Sequence, residues 1–368
     1  MNRGQRIGTF ASVIISAFLL IGCDLKEIDT FSTVLSIGID RNNDGTILLT
    51  MEISNFSKSK SMQQKMLMIS GTGQSIEDAE RNIQLKNPLE LYQAHNALIL
   101  LGESYARHNV HEVADFFQRN PTFRPTMFLA VCQGRAKDVL RARVSTESIN
   151  ALGIREMINE ASRRSLTSSS EMIRWVKDLH HRSHTFQLAA LKLDMDAKPE
   201  VSGVGLFYHN QLVRWITTKQ VPFLLLLTER QISHQLIKII DANHNAIYIQ
   251  ILWANVIPSI KVAQGKLVVV YNVLGESEIV ELSHEMALPL RKIVVMENKV
   301  NSVISARTKQ MIHSLQKDKI DGINLADILY REHHNLYQRF SLHWEDEFAQ
   351  ADITCHFSIR LIRTGLLN

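Results

Sequence analysis

Cys23 is the residue whose placement points most directly to a chemical modification. It ends the stretch LLIGC (residues 19–23), which closes an apolar run over residues 10–21 and is followed at once by charged residues. Arg3 and Arg6 precede the run, with no acidic residue ahead of it. A membrane-spanning helix needs about 20 apolar residues, so this run is too short for one. It has the length of a signal-peptide core.

The ending of this run resembles a bacterial lipoprotein box, in which the cysteine thiol accepts a diacylglyceryl group and the peptide is cut just before it. We therefore predict that residues 1–22 are a cleaved lipoprotein signal peptide. We predict that Cys23 becomes an N-palmitoyl, S-diacylglycerol cysteine, which holds the protein to membrane lipid. Several acyl chains anchor a protein firmly, whereas one binds only marginally. The alternative is a chance cysteine in an uncleaved anchor.

The two other cysteines, Cys132 and Cys355, each lie in an apolar, strand-like run. We interpret both as buried small hydrophobic residues. A bridge between them is an open alternative that their spacing does not support. With so few cysteines the chain is not a disulfide scaffold.

A second candidate site is the stretch DRNNDG (residues 40–45). Asp40, Asn42, Asp44 and Gly45 match the first ligand positions of a calcium loop, but the position that needs a bidentate glutamate is Met51. The flanking segments have strand patterns, whereas a calcium hand needs helices. Asn-Asp-Gly is also common in hairpin turns. We predict a turn at this stretch rather than a metal site.

A third candidate is the cluster of His180, His181 and His184 with Asp178 at the end of a predicted helix. Histidine cations are favourable at a helix C-terminus, and a metal site would need a further ligand. Motifs for zinc proteases, phosphate loops, dinucleotide binding and nucleophile elbows are absent from the sequence. We therefore predict no catalytic residue, cofactor or metal, and a protein that is not an enzyme.

The elements that would position these residues indicate a mixed α/β (α+β) fold. Strand-like and helical segments alternate through the first half, with a capping pattern at Ser75 and Asp78 that predicts a helix from Ile76. A hairpin turning at His209-Asn210 opens a middle section dominated by strands. A helical stripe follows over residues 289–317, and the last strand buries one face.

The charged stretch DAKPE (residues 196–200) is the best linker candidate. We predict an N-terminal α/β domain over residues 23–195, a middle β-rich domain over 201–285 and a C-terminal helix-plus-strand domain over 286–368. The last of these could share a sheet with the middle domain.

Charge excludes one class of partner. The net charge is +4, and Arg3 and Arg6 supply part of it, which is too little to indicate nucleic-acid binding. Basic residues of the 289–317 helix are most simply a solvated face. Contact with a membrane surface is the alternative. These basic residues are Arg291, Lys292, Lys299, Arg307 and Lys309.

Passages along nearly the whole chain resemble one family, the C subunits of spore germinant receptors, which are the Ger(x)C lipoproteins of endospore-forming bacteria. The matching passages are GCDLKEIDTFSTVLSIGID, GTGQSIEDAERN, LYQAHNALILLGE, VADFFQRNPTFRPTMFLAVCQGRAKDVL, GVGLFYHNQLVRWIT and the C-terminal segment from DGINLADILYREHHNLYQRF to IRLIRTGL. Each motif is loose, but their order and spacing are specific. Two positions depart from the family pattern: Asp24-Leu25 replaces Trp-Asp, and Gly322-Ile323-Asn324 replaces a Gly-Phe-Gly-like sequence.

The resemblance implies a three-domain lipoprotein without enzymatic activity. Such subunits work with an integral membrane A-type subunit and a transporter-like B-type subunit in the inner spore membrane, where the complex responds to nutrients and starts germination. The resemblance gives only Cys23 a residue role, as the lipid site on the outer face. An alternative is a solute-binding lipoprotein that captures a small nutrient, which would have two similar lobes and a cleft. An exported hydrolase, a third possibility, lacks any motif.

Overall fold

The computed structural model describes residues 31–56, 64–120, 122–142, 144, 149–229, 231–240, 246–282 and 290–363. The predicted signal peptide and Cys23 lie outside the described residues. The strands form two sheets. The first contains β1 (Phe31–Arg41), β2 (Ile47–Phe56), β3 (Gln64–Gly73), β4 (Glu90–Tyr92), β5 (Leu98–Gly102), β6 (Phe128–Cys132), β7 (Thr185–Leu193), β8 (Pro199–Tyr208) and β9 (Gln211–Thr217). The second contains β10 (Gln231–Ile240), β11 (Ala246–Ala263), β12 (Lys266–Leu282) and β13 (Asp352–Arg363).

The first sheet has a parallel centre and antiparallel edges. Its order is β3-β2-β1-β5-β6-β7-β8-β9, with β4 paired to β1. Strands β1, β5, β6 and β7 run parallel, while β2 with β3 and β8 with β9 are antiparallel hairpins. Parallel strands covered on both faces are continuously apolar, and every residue of β5 is buried. The predicted mixed α/β (α+β) fold is confirmed.

Helices cover both faces of this first sheet. They are α1 (Ile76–Gln84), α2 (Glu103–Ala106), α3 (His111–Arg119), α4 (Ala136–Arg141), α5 (Asn150–Arg163) and α6 (Met172–Asp178). Side chains of α1, α3 and α6 pack with Ile37 and Ile99 on one face, and side chains of α4 and α5 pack with Leu98 and Leu100 on the other. The sheet is therefore the middle of three layers.

Local sequence signals account for several element ends. The Asp78 N–H donates to Ser75 Oγ at 3.1 Å, and the Asp78 carboxylate accepts the Gln74 N–H at 2.9 Å, so the predicted start of α1 is confirmed. His209 and Asn210 have φ angles of 46° and 65° between β8 and β9. Positive φ at both positions is what a tight hairpin turn requires, and the turn predicted there is confirmed.

Helix α1 carries a carboxyl group, that of Glu80, which makes the stability of the folded protein depend on pH. Burial, reinforced by the nearby Glu77, raises the pKa of Glu80 from its ordinary 4.5 to about 7, and the Gln93 side chain donates a hydrogen bond to it. The folded state therefore keeps a proton that the unfolded chain releases. The contribution of protonated Glu80 to the free energy of unfolding is fully present below pH 4.5. It is lost as the pH rises from about 4.5 to 7.

We expect Glu80→Gln to be about 1–2 kcal/mol more stable than the unsubstituted protein at pH 8 and equal to it near pH 4. Glutamine cannot ionise, and its side-chain oxygen still accepts the Gln93 hydrogen bond. Urea unfolding at several pH values measures the difference, with the exposed Glu156→Gln as control. An equal gain at both pH values would contradict the proposed titration.

The second sheet combines a β-meander with a parallel C-terminal strand. Strands β10, β11 and β12 are antiparallel, and β13 pairs in parallel with β12. Its inner face packs against α7 (Val221–Thr228), α8 (Leu290–Lys317), α9 (Leu325–Glu332), α10 (His334–Phe340) and α11 (Trp344–Gln350). The helix predicted over residues 289–317 is confirmed as α8, with Val300, Ile304 and Leu315 of its stripe buried.

Two predictions in this region are wrong. Residues 196–200 do not form a linker, because the Lys198 N–H donates to Asp194 Oδ1 at 2.8 Å and closes a tight turn between β7 and β8. Hairpin β8–β9, placed by the sequence in the middle domain, therefore extends the first sheet. The three-domain division itself stays a prediction.

Candidate functional site

Asp40, the first residue of the calcium-like stretch, is part of a helix cap. It is fully buried, and its carboxylate accepts the backbone N–H groups of Ala136 at 2.8 Å and Lys137 at 3.0 Å, at the start of α4. Burial raises the pKa of Asp40, and these hydrogen bonds oppose that rise. Asp44 instead accepts hydrogen bonds from Thr46 within the turn. The two carboxylates thus stabilise the fold locally.

The histidines that follow α6 do not form one cluster, because His181 and His184 have different neighbours. His181 Nε2 lies 3.5 Å from Asp178 Oδ1, whereas the His184 ring stacks on His209 with centroids 4.7 Å apart. Burial of His184 and the nearby His209 lower the pKa of His184, which favours a neutral His184 ring. Among the residues that the structure describes, no cluster of three or more potential ligands could hold a metal ion.

The main polar site lies where the two sheets meet, and Asp321 is at its base. Asp321 is 2% exposed and accepts the N–H groups of Leu325 at 2.9 Å and Ala326 at 2.8 Å, which cap α9. The indole N–H of Trp344 donates to the same carboxylate at 3.1 Å. Burial raises the pKa of Asp321 to about 6 although these donors oppose the rise. One buried carboxylate thus joins α9 to α11.

Residues just after Asp321 tie α9 to the first sheet. Asp327 accepts the backbone N–H groups of Arg182 at 3.0 Å and Ser183 at 3.4 Å, before β7 begins. Asn324 Oδ1 accepts hydrogen bonds from the hydroxyl groups of Ser183 at 2.9 Å and Thr185 at 3.0 Å. Side chains of β8, β9 and α7–α9 also share one apolar cluster. The two sheets therefore pack together as one body through a mixed apolar and polar seam.

A cavity of about 360 Å³ opens at this seam. Its walls come from α6, β7, α7, β11, β12 and α9, so both sheets contribute. Its polar lining includes Asp178, His181, Glu229, Tyr271 and Asp327. A cavity of this size suits a small molecule, and the mixture of charges favours a polar one.

Sequence reasoning found Asp178 and His181 as a cluster but missed Tyr271 and Asp327, which complete the cavity. Tyr271 stands in an ordinary strand pattern, and Asp327 stands near the start of an ordinary amphipathic helix. Nothing in the local sequence pattern marks either residue. Asn324, three residues before Asp327, has a φ of 57°, an uncommon conformation for a non-glycine residue that only the structure reveals.

Comparison with known families accounts for nearly the whole chain. The model described as "Spore germination protein N-terminal domain" matches residues 24–193, and the model described as "Spore germination B3/ GerAC like, C-terminal" matches residues 202–365. The two matches follow one another along the chain. The chain belongs to the family of spore germinant receptor C subunits.

The similarity to other members of this family covers both sheets. Spore germination protein B3 of Bacillus subtilis (strain 168) is 22% identical over 97% of this chain and 97% of its own length. Spore germination protein KC of the same organism is 20% identical over 97% of this chain and 95% of its own. The crystal structure of the GerBC protein superposes with a TM-score of 0.60 at 20% identity, covering 89% of this chain and 96% of that one. That structural match shows the shared fold.

Family membership connects this chain with spore germination and with a receptor made of several subunits. Its relatives indicate a role associated with a membrane. Within the described part of the chain, none of the helices combines the length and the apolar character needed to span a bilayer.

Proposed function

We propose that this protein is a non-catalytic, lipid-anchored subunit of a nutrient germinant receptor complex and is needed for nutrient-triggered germination. It works beside an integral membrane A-type subunit and a transporter-like B-type subunit, on the outer face of the inner spore membrane. The observation that carries the proposal is the end-to-end match to germination protein B3, combined with a lipoprotein box at Cys23. The match alone does not indicate lipid anchoring, and the lipoprotein box alone does not indicate germination.

Chain geometry supports a close approach of the folded part to the bilayer. A fully extended chain spans at most about 3.5 Å per residue, so Phe31 lies within about 28 Å of a lipidated Cys23. Strand β1 begins at Phe31 and is central to the first sheet. Tethering also raises the effective concentration of the subunit at the membrane, so a weak interface with a membrane partner would be occupied.

The outer face of the second sheet supports assembly with other subunits. Trp253, Ile257 and Leu274 are 42%, 54% and 47% exposed. Trp253 and Ile257 stand on β11 with Asn255 between them, and Asn255 pairs with Leu274 of β12, so the three side chains share one face. Contiguous exposed apolar side chains are typical of surfaces that contact other proteins.

The alternative of a two-lobed solute-binding lipoprotein is less well supported. That class predicts two similar lobes, whereas the described residues form a nine-stranded α/β sheet and a four-stranded sheet of different topology. Partly buried hydrogen bonds of Asp327 and Asn324 join the two sheets at their seam.

Replacing Cys23 by alanine tests the proposal. We expect the variant to leave the spore membrane fraction and the rate of nutrient-triggered germination to fall by at least about tenfold, because the tether's effective concentration is lost. Cys355→Ala is the matched control, since that partly buried thiol lies in β13 and leaves the lipid site intact. Normal germination by spores whose variant protein is absent from the membrane fraction would disprove the tethered-subunit role.

A further inference from the structure

A second cavity, of about 460 Å³, lies at the edge of the first sheet where the parallel strands β1, β5 and β6 begin. It shares no lining residue with the cavity at the seam. Phe31 and Leu35 of β1 line it, together with Ala97 before β5, Met127 before β6 and Leu152 of α5. These side chains give the cavity an apolar wall, and its volume suits part of a small amphiphilic molecule.

The charged side chains of this lining are positive. Arg124 and Arg155 line the cavity, and none of its described lining residues is acidic. Arg124 is exposed and Arg155 half-buried, so a ligand can reach both guanidinium groups. Within the described part of the chain neither guanidinium has a hydrogen-bond or ion-pair partner, whereas Arg163 of the same helix α5 pairs with Glu160. Two free guanidinium groups beside an apolar wall are complementary to an anionic amphiphile.

A row of three rings reaches the same cavity from β4. Tyr92 lies between Phe31 and His95, with its ring centroid 4.7 Å and 5.9 Å from theirs. The outer two rings line the cavity, and the His95 side chain is exposed. Aromatic rings with a polar edge are favourable in the headgroup region of a membrane, where one end is apolar and the other wet. The row therefore favours a lipid over a fully soluble anion.

The position of Phe31 places the cavity near the bilayer. Phe31 is eight residues from Cys23, so a lipidated Cys23 holds the cavity within about 28 Å of its own acyl chains. Phospholipids of that leaflet are then present at a high effective concentration. The choice of a membrane lipid as the ligand rests on the proposed tether, whereas the apolar wall and the two free arginines do not.

We propose that this cavity binds the phosphate group of an anionic phospholipid in the bilayer to which the chain is tethered. Arg124 and Arg155 would donate hydrogen bonds to the phosphate oxygens. The glycerol and the first acyl carbons would pack on Phe31 and Leu152. Bound in this way, the lipid directs the amino-terminal edge of the parallel strands toward the membrane and fixes how the tethered subunit stands on it.

Lipid binding to the full chain, purified in an uncharged detergent, tests this inference without the other receptor subunits. Dioleoyl phosphatidylglycerol and dioleoyl phosphatidylcholine are titrated separately, and native mass spectrometry counts the bound lipids. We expect one phosphatidylglycerol to bind saturably, at least about tenfold more tightly than phosphatidylcholine, which has no net charge. Glycerol 3-phosphate and inorganic phosphate supply the anion without the acyl chains and should bind at least about tenfold more weakly than phosphatidylglycerol.

Substitution of the two arginines separates a ligand contact from a structural role. Arg124→Gln and Arg155→Gln should each weaken phosphatidylglycerol binding by about fivefold, and the double variant by at least about twentyfold. Thermal stability should be unchanged, because neither guanidinium has a partner in the described part of the chain. Arg164→Gln is the matched control, since it removes the same charge from an exposed residue at the end of α5, outside the cavity lining.

Three results would overturn the inference. They are no saturable binding of phosphatidylglycerol, binding of phosphatidylcholine or of either free phosphate as tight as that of phosphatidylglycerol, and arginine variants that bind phosphatidylglycerol as the control does. Each of them leaves the proposed tethered-subunit role intact, because that role is tested in spores through Cys23. Conversely, a failure of the Cys23 test leaves lipid binding by the purified chain to be judged on its own.

Discussion

Asp321→Ala is expected to lower the free energy of unfolding by about 4 kcal/mol. The carboxylate is fully enclosed and accepts three hydrogen bonds, from the N–H groups of Leu325 and Ala326 and from the indole of Trp344. Alanine leaves all three donors buried without an acceptor. The loss exceeds that of an ordinary helix cap, because the same group also joins α9 to α11.

Urea unfolding followed by far-ultraviolet circular dichroism measures this loss on the full chain in detergent. Asp346→Ala is the control, since Asp346 is 58% exposed and forms a single ion pair, 2.6 Å long, with Lys319. Exposed ion pairs contribute at most about 1 kcal/mol, so the control should change little. Equal losses in both variants would contradict the role of Asp321 in capping α9 and joining it to α11.

Buried carboxylates that cap helices recur in this fold. Asp40 caps α4, Asp321 caps α9, and Glu52 accepts the N–H groups of Asn150 at 3.1 Å and Ala151 at 2.9 Å at the start of α5. Helix N-termini have unpaired N–H groups and a positive partial charge, so a carboxylate is a suitable partner. The N-terminus of each helix is thereby hydrogen-bonded to the strand or loop that carries the carboxylate.

This recurrence explains why the elements could be predicted from the sequence better than the site could. The β1–β2 hairpin, helix α1 and helix α8 follow from local signals: turn residues, a cap at Ser75 and a stripe with helical spacing. Such signals lie within one element. Asp40 was recognisable as a notable acid, but its partner Ala136 lies 96 residues later, and no local pattern connects them.

The cavity lining shows the same limit. Asp178 and His181 are neighbours in sequence and stood out together, whereas Tyr271 and Asp327 join them only because β12 and α9 fold against the first sheet. The linker prediction was wrong for a related reason. Residues 196–200 have the polar composition of a linker. In the structure, the N–H groups of Asp196 and Ala197 donate hydrogen bonds to Asp194, and these bonds form a turn between two paired strands. Composition indicates exposure and does not distinguish a turn from a linker.

A second large loss of stability is expected on substitution of Gly203 in strand β8. Amino-acid composition does not reveal its cause, which is the local backbone geometry. Its φ of 128° is a conformation that side chains rarely adopt, and an added Cβ would lie 2.0 Å from the carbonyl oxygen of Ile216 in the paired strand β9. The Gly203 carbonyl oxygen also accepts a hydrogen bond from the buried Thr167 hydroxyl at 2.6 Å. Any shift that relieves the clash would disturb this contact.

We therefore expect Gly203→Ala to lose about 4 kcal/mol of stability, or to fail to accumulate as folded protein. Gly265→Ala is the matched control, because Gly265 has a φ of 79° with no atom within 4 Å of the added Cβ. The control carries backbone strain alone, about 1 kcal/mol, so the difference between the two variants isolates the clash with β9. Equal losses would mean that β9 can move away from β8. Because β9 packs on the apolar cluster shared with the second sheet, such freedom would also argue against a rigid seam between the two sheets.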